Sequence, residues 1–241
     1  MRKLLTVAIA ATATLTLGAG AVAQTSDVVF TATVSPSKAG TKKKPKNTKI
    51  GFVQKVDKPG TTVEFIDLTL PKGLKMSGKG LGNCTVDDLA FEGPAACASS
   101  AAGPKGTANA LLGRAGDVPS PLNFTVQPFV QDSNTLLFYV ASESGSGIAV
   151  QSPITGEITG RGTKLRIKIP EELRRPGGVD ASLTGLDQVF SAKKGKNYLV
   201  SSIGCKAGKH KFTGKLTFTA RADGSTVPAP ETSTTSVRCK K

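Results

Sequence analysis

Histidine, paired acids, cysteines and clustered lysines are the side chains in this sequence with the chemistry for catalysis, metal binding or cross-linking, and their spacing decides among those uses. The single histidine, His210, lies in Lys206-Ala207-Gly208-Lys209-His210-Lys211. It has cationic neighbours and no carboxylate nearby in sequence to orient it as a general base. A Ser–His–Asp arrangement would have to use this residue, and no Gly-x-Ser-x-Gly elbow is present. Asp87-Asp88 is a paired carboxylate, but no histidine, third acid or glycine-spaced calcium loop accompanies it. The pair reads instead as the start of a short helix, with Thr85 as cap, Asp88 three residues on, and the acids at the positive end. Gly156 to Gly162 is glycine-rich but lacks the Gly-Lys-Ser/Thr ending of a phosphate loop. Tryptophan is absent, and Tyr139 and Tyr198 are the only tyrosines, which argues against a hydrolase cleft or a sugar-binding face. No catalytic, metal or cofactor-binding residue is assigned.

The cysteines point to cross-linking. Cys84, Cys97, Cys205 and Cys239 are even in number, and 12 and 33 residues separate the sequence-local pairs, far from the tight spacing of a zinc site. Three connectivities are open; Cys84–Cys97 with Cys205–Cys239 is the local choice. Each such loop contributes roughly 3–4 kcal/mol in the chain-entropy model. An oxidising destination is expected from the start of the chain. Met1-Arg2-Lys3 is followed by the apolar run Leu4 to Leu17 and by Ala21-Val22-Ala23, so residues 1–23 read as a secretory signal peptide cleaved before Gln24. No second apolar span follows, so no transmembrane anchor is expected. The expected location is secreted, in the extracellular space or in association with the wall.

Charge is the loudest signal in the composition. The chain carries +15, and the segment after the leader +13. Lysines cluster in Lys38 to Lys49 and again in Lys193 to Lys215, and lysine outnumbers arginine 24 to 8. Sequence-reading nucleic-acid proteins favour arginine forks and stacking aromatics, so no specific nucleic-acid partner is expected. Lys42, Lys43, Lys44, Lys46, Lys209 and Lys211 are the candidate contacts for an anionic envelope polymer. Solubility and the blunting of edge strands are the plainer uses of the same lysines.

The elements that must position these residues are strands. Val28, Phe30, Ala32 and Val34 alternate with polar or smaller partners, and Ile50, Phe52 and Val56 mark a second strand. In Thr61 to Leu70, Val63 and Phe65 alternate in one phase and Ile66, Leu68 and Leu70 in the other, which calls for a bulge near Phe65-Ile66 or for burial on both faces. Thr107 to Leu112 and Leu122 to Pro128 follow. Leu136 to Ala141 is continuously apolar and reads as buried on both faces. Lys164 to Ile169 is the cleanest alternating strand, echoing Leu68 to Leu74 in its strand-Pro-x-x-Leu ending. Tyr198 to Cys205 and Phe212 to Ala220 are two more strands, the second with Phe212, Leu216, Phe218 and Ala220 inward. Ala222 to Ser233 reads as a loop before a short edge strand, Ser236 to Cys239. A Ser/Gly link at 142–147 is the one candidate internal boundary.

One segment carries a resemblance. Leu70-Pro71-Lys72-Gly73-Leu74, Asn83-Cys84-Thr85, Asp88-Leu89, then Cys97 with Ser99-Ser100 and Gly103 to Gly106, resembles a loose group of secreted all-β proteins of high-GC Gram-positive bacteria. Ala98 stands where that group commonly has proline. The resemblance implies an exported β-fold; no function is assigned to the group, so no catalytic residue carries over.

About a dozen short strands separated by Gly/Pro turns read as an all-β antiparallel sandwich spanning residues 24–241 and stapled by two disulfides. The expected function is a non-enzymatic structural or interaction protein at or near the cell envelope. A soluble extracellular binding protein or inhibitor is the alternative, and a hydrolase the third reading.

Overall fold

The structure, a computed structural model, describes residues 28–57, 60–113, 118–143 and 151–241. The expected leader, and residues 144–147 of the expected boundary, lie outside the described residues. Sixteen strands and one α-helical turn follow in order. The first half of the chain supplies β1 (Val28–Ser35), β2 (Lys46–Asn47), β3 (Lys49–Val56), β4 (Thr62–Thr69), β5 (Leu74–Met76), β6 (Gly106–Leu112), β7 (Ser120–Val130) and β8 (Thr135–Ser142). Next come β9 (Gln151–Thr159), β10 (Lys164–Lys168) and the turn α1 (Glu171–Arg174). The remainder is β11 (Ala181–Phe190), β12 (Lys193–Lys194), β13 (Asn197–Tyr198), β14 (Val200–Ser202), β15 (Lys209–Thr219) and β16 (Glu231–Arg238).

Eleven of these strands form one antiparallel sheet, in the order β1-β3-β11-β6-β7-β8-β9-β10-β4-β15-β16. The sheet curls until its edge strands β1 and β16 lie side by side, making a nearly closed barrel. Among the described residues no ladder joins the two edges. Just past their ends Ala39 N donates to Lys240 O, and Lys240 N donates to Ser37 O, each at 2.8 Å. The fold is therefore all-β and antiparallel with two disulfides, and the facing layers expected of a sandwich are opposite walls of one curled sheet.

The two barrel ends differ. The disulfide end carries the connections 36–45, 70–105, 131–134, 160–163 and 191–208, together with the small sheet β2-β14-β5. Cys84 bonds Cys97 and Cys205 bonds Cys239, the sequence-local pairing. The helix end carries α1, the turn Pro176–Gly178 and the 220–230 connection.

Alternation sets most of the interior. In β10, Leu165 and Ile167 are buried while Lys164, Arg166 and Lys168 are exposed. β4 has the expected phase change: Thr217 of β15 pairs with Phe65 and Phe218 with Val63, so Glu64 is the extra residue of a bulge. Phe65 is thereby turned outward, where the Arg166 guanidinium lies 4.2 Å from its ring centroid. Leu136, Leu137 and Phe138 of β8 are all buried. Leu137 pairs with Phe129 on the outer face, and the segment closed by Cys84–Cys97 covers that side. Cys84 N donates to Val130 O and, beyond the disulfide, Gly103 N to Pro128 O, stitching residues 84–103 to β7, and Leu89 and Ala101 are fully buried there.

Inside, Phe52 joins the walls. It stacks on Phe30 (centroids 5.5 Å) and meets Phe212 and Phe190 edge-on at 5.6 and 5.8 Å; Phe190 in turn meets Phe138 at 6.0 Å. Two inward glycines make room for these rings. A Cβ on Gly156 would lie 2.7 Å from Phe138 Cε2, and one on Gly214 3.1 Å from Phe30 Cδ2.

Three sequence expectations differ in detail. Tyr198 to Cys205 is not a barrel strand. Gly195, with φ +58°, turns the chain so that Asn197–Tyr198 pairs back on Lys193–Lys194, while Val200–Ser202 pairs with β5 and β2, so the segment divides into β13 and β14. Ala220 is exposed beyond the end of β15. β16 begins at Glu231, inside the expected loop, because its whole length pairs with β15 from Leu216 to Lys209.

Candidate functional site

At the helix end, Pro170 stops β10 and Glu171-Glu172 open the single turn α1, with acids in its first turn and Arg174 in its last. Leu173 is buried against the core. Arg174 Nε donates to Ile169 O (3.1 Å), and Arg175 Nε donates to Asp180 Oδ1 (3.0 Å), a bond that raises the Arg175 pKa further. Asp180, with its side chain 1% exposed, also accepts from Ala222 N (2.9 Å) and faces Arg221 Nε at 3.9 Å. The Arg221 side chain, 5% exposed, donates to Ser182 Oγ, Gly113 O and Asp223 Oδ2 at 3.0, 2.6 and 3.3 Å. Bonds from Ser225, followed by Arg221, hold the Asp223 carboxyl down at about 2. These groups satisfy one another, which marks a brace for α1 rather than a reactive centre.

Between α1 and the phenylalanine cluster lies a cavity of about 120 Å³. Its wall is almost wholly apolar, with Phe124, Val140, Ile154 and Leu186 among its lining residues. The exceptions include two amides on neighbouring strands, Gln54 of β3 and Gln188 of β11, 4% and 2% exposed. Gln188 Nε2 donates to Pro104 O and Val189 O, but its Oε1 is buried without a partner; Gln54 Nε2 is likewise buried and unpaired. Sequence reasoning passed over both residues. The available signal was phase: Gln54 follows Ile50 and Phe52 inward, and Gln188 lies between Leu186 and Phe190 on the inward face.

The six candidate lysines are all exposed at the disulfide end or on the strand leaving it. Lys42, Lys43 and Lys44 sit in the connection between β1 and β2, and Lys46 opens β2 opposite Ser202. Lys209 and Lys211 point outward from the start of β15, opposite Arg238 and Ser236. The Lys38–Lys240 bridge and Cys205–Cys239 bring the chain's last residues to the same end. Lys38, Lys206, Arg238, Lys240 and Lys241 therefore join the two clusters seen in sequence, a convergence that linear spacing hides. Asp87, Asp88, Glu92 and Asp132 are the acids of the connections at this end, against Lys72, Lys75, Lys79, Arg161 and the lysines of 193–206 besides those named. At the helix end Asp57, Glu143, Glu171, Glu172, Asp180 and Asp223 of the connections face Arg174, Arg175 and Arg221 among the described residues, with Lys55 and Lys168 on the strands that lead into it.

No known family, characterised protein or solved structure matches the chain. The function must be argued from these sites alone.

The remaining chemistry-bearing residues are accounted for by packing. His210 shares the inward phase of β15 with Phe212, is 2% exposed, and meets that ring edge-on at 6.5 Å. Burial pushes its pKa down. Thr85 and Asp88 form a reciprocal capping box: Thr85 N donates to Asp88 Oδ2 (2.8 Å) and Asp88 N to Thr85 Oγ1 (3.0 Å). These bonds hold the Asp88 carboxyl below its ordinary range. Asp88 also lies near the sulfurs of Cys84 and Cys97, but both are committed to their disulfide and offer no thiolate to a metal. Among the described residues, no helix is long and apolar enough to cross a membrane.

Proposed function

We propose that this chain is a non-enzymatic exported protein that attaches by its basic end to anionic polymers of the cell envelope. The observation that carries the reading is the segregation of lysines from acids along the barrel axis. A barrel with one cationic end presents its field in one direction, so an extended polyanion meets many charges in a single orientation. Lysine suits such a contact, because a flexible, strongly hydrated point charge makes no demand on the geometry of its partner. The leader-like start of the chain and the two disulfides favour an oxidising compartment. The resemblance of the Leu70–Gly106 segment to secreted proteins favours the same location.

Cosedimentation with isolated cell walls is the test. Exposed charges act over about 10 Å at 0.1 M salt and about 3 Å at 1 M, so retention at low salt should vanish at high salt. Replacing Lys42, Lys43, Lys44, Lys46, Lys209 and Lys211 together with Gln should largely abolish retention and leave the thermal midpoint nearly unchanged, because exposed charges add little to folding. A wild-type chain that stays in the supernatant at low salt, or a six-Gln variant that sediments as well as wild type, would overturn the proposal.

A further inference from the structure

We propose that Thr226, in the connection between β15 and β16, is an O-glycosylation site whose hydroxyl accepts a hexose from a glycosyl-phosphate donor. The inference does not rest on the envelope reading, since Thr226 lies at the helix end and none of the lysines takes part.

The first observation is composition, narrowed by structure. Ser225-Thr226-Val227-Pro228-Ala229-Pro230 runs into Glu231-Thr232-Ser233-Thr234-Thr235-Ser236, and this mixture of hydroxyls and prolines is that of segments carrying O-linked sugars. Composition alone does not choose among the seven hydroxyls. Residues 232–236 lie in β16, with their backbone paired to β15 from Lys215 to Lys211. An enzyme that reads an extended segment needs backbone groups not already held in a ladder. Ser225 gives both its groups to Asp223: its N–H donates to Oδ1 at 2.9 Å, and its hydroxyl bonds the same carboxylate. Ser120, which also stands between prolines, is held in the ladder opposite Leu112. Thr226 is exposed, and its hydroxyl has no hydrogen-bond partner among the described residues.

The second observation is presentation. Asp223, Gly224 (φ +73°) and Ser225 form a turn that is tied to the brace. Arg221 Nε donates to Asp223 Oδ2 at 3.3 Å, and Ala222 N donates to Asp180 Oδ2 at 2.9 Å. Beyond the turn, Pro228 and Pro230 fix their own φ at about −65° and keep Val227 and Ala229 out of the helical region. No regular element forms from Ser225 to Pro230, and the chain re-enters the sheet at Glu231. Thr226 is thus offered on an extended, ladder-free stretch fixed at both ends. Exposed connections of small and polar residues are where proteases nick first, and a sugar on Thr226 would cover this one.

In the transfer, Thr226 Oγ1 attacks the anomeric carbon of the donor. A new C–O bond forms as the bond from that carbon to the phosphate oxygen breaks. The phosphate leaves with the bonding pair, and the hydroxyl proton passes to a base of the transferase.

The test is mass spectrometry of the protein isolated from the cells that make it. Trypsin releases residues 222–238 as one peptide, because no Lys or Arg lies between Arg221 and Arg238. That peptide is expected to be heavier by one hexose or a short chain of them, with electron-transfer fragmentation placing the sugar on Thr226. Thr226→Val should remove the increment completely, whereas Thr226→Ser and Ser225→Ala should keep it. The wild-type peptide decides the question even if a variant fails to fold. An unmodified peptide would overturn the proposal, as would a sugar confined to residues 232–236, a phosphate in place of the hexose, or an increment that survives Thr226→Val.

Discussion

Removing the carboxylate of Asp180 tests the brace at the helix end. In Asp180→Asn the shape is kept and the charge lost; in Asp180→Ala the Ala222 amide also loses its acceptor. Arg221, whose side chain is 5% exposed, would then keep Asp223 as its only close anion among the described residues, and that carboxylate is 16% exposed. Stripping one partner from a buried ion pair costs about 3–5 kcal/mol, because the survivor stays charged and desolvated. We expect that loss for Asp180→Ala and a somewhat smaller one for Asp180→Asn. For a domain of this size it lowers the thermal midpoint by roughly 10 °C. Guanidinium titrations at pH 7 measure it, as a shift in midpoint at constant slope. The decisive arm is Asp180→Leu with Arg221→Met: removing both charges should recover part of the loss, since an apolar pair costs nothing to desolvate. A loss below about 1 kcal/mol for Asp180→Ala, or a double variant worse than the sum of the two singles, would refute the reasoning.

Two further outcomes follow from the same structure. Burial lowers the His210 pKa, so the unfolded chain binds the proton more readily than the folded one. The stability this contributes is complete above the unfolded value near 6.5 and declines as pH falls below it; denaturant midpoints should rise from pH 5 to 7, and His210→Phe should flatten that rise. Replacing Cys84 and Cys97 by Ser should cost about 3 kcal/mol and replacing Cys205 and Cys239 about 4, following their sequence separations of 13 and 34; equal or negligible losses in denaturant unfolding would show that the loops are already ordered in the unfolded chain.

Local pattern made much of this fold legible. The strict alternation of Lys164 to Lys168, a phase change in β4 (at Glu64, just before the expected Phe65-Ile66) and the Thr85/Asp88 capping box are all short-range, and each stands in the structure. Both disulfides followed from proximity along the chain. What stayed hidden is long-range. Asp180 and Arg221 are far apart in sequence, and Gln54 and Gln188 line one cavity only because β3 and β11 are neighbours in the sheet. His210 was within reach: it alternates in phase with Phe212, and the lysines on either side of it take the outward phase. The basic end needed the topology, because only the direction of each strand says which loops share an end.

The number of strands has its own consequence. In a sheet whose every neighbouring pair is antiparallel, direction alternates, so the first and last of eleven strands must point the same way. β1 and β16 both run toward the disulfide end, and the Lys38–Lys240 bridge beyond them is indeed parallel. Sealing the circle would require a parallel ladder, with slanted bonds, between two strands already held by antiparallel partners on their other sides. The circumference is therefore not fixed by a closed ring of hydrogen bonds. The molecule is built as a split collar with its clasp at one rim, and the girth of the collar can change without breaking a single rung of the sheet.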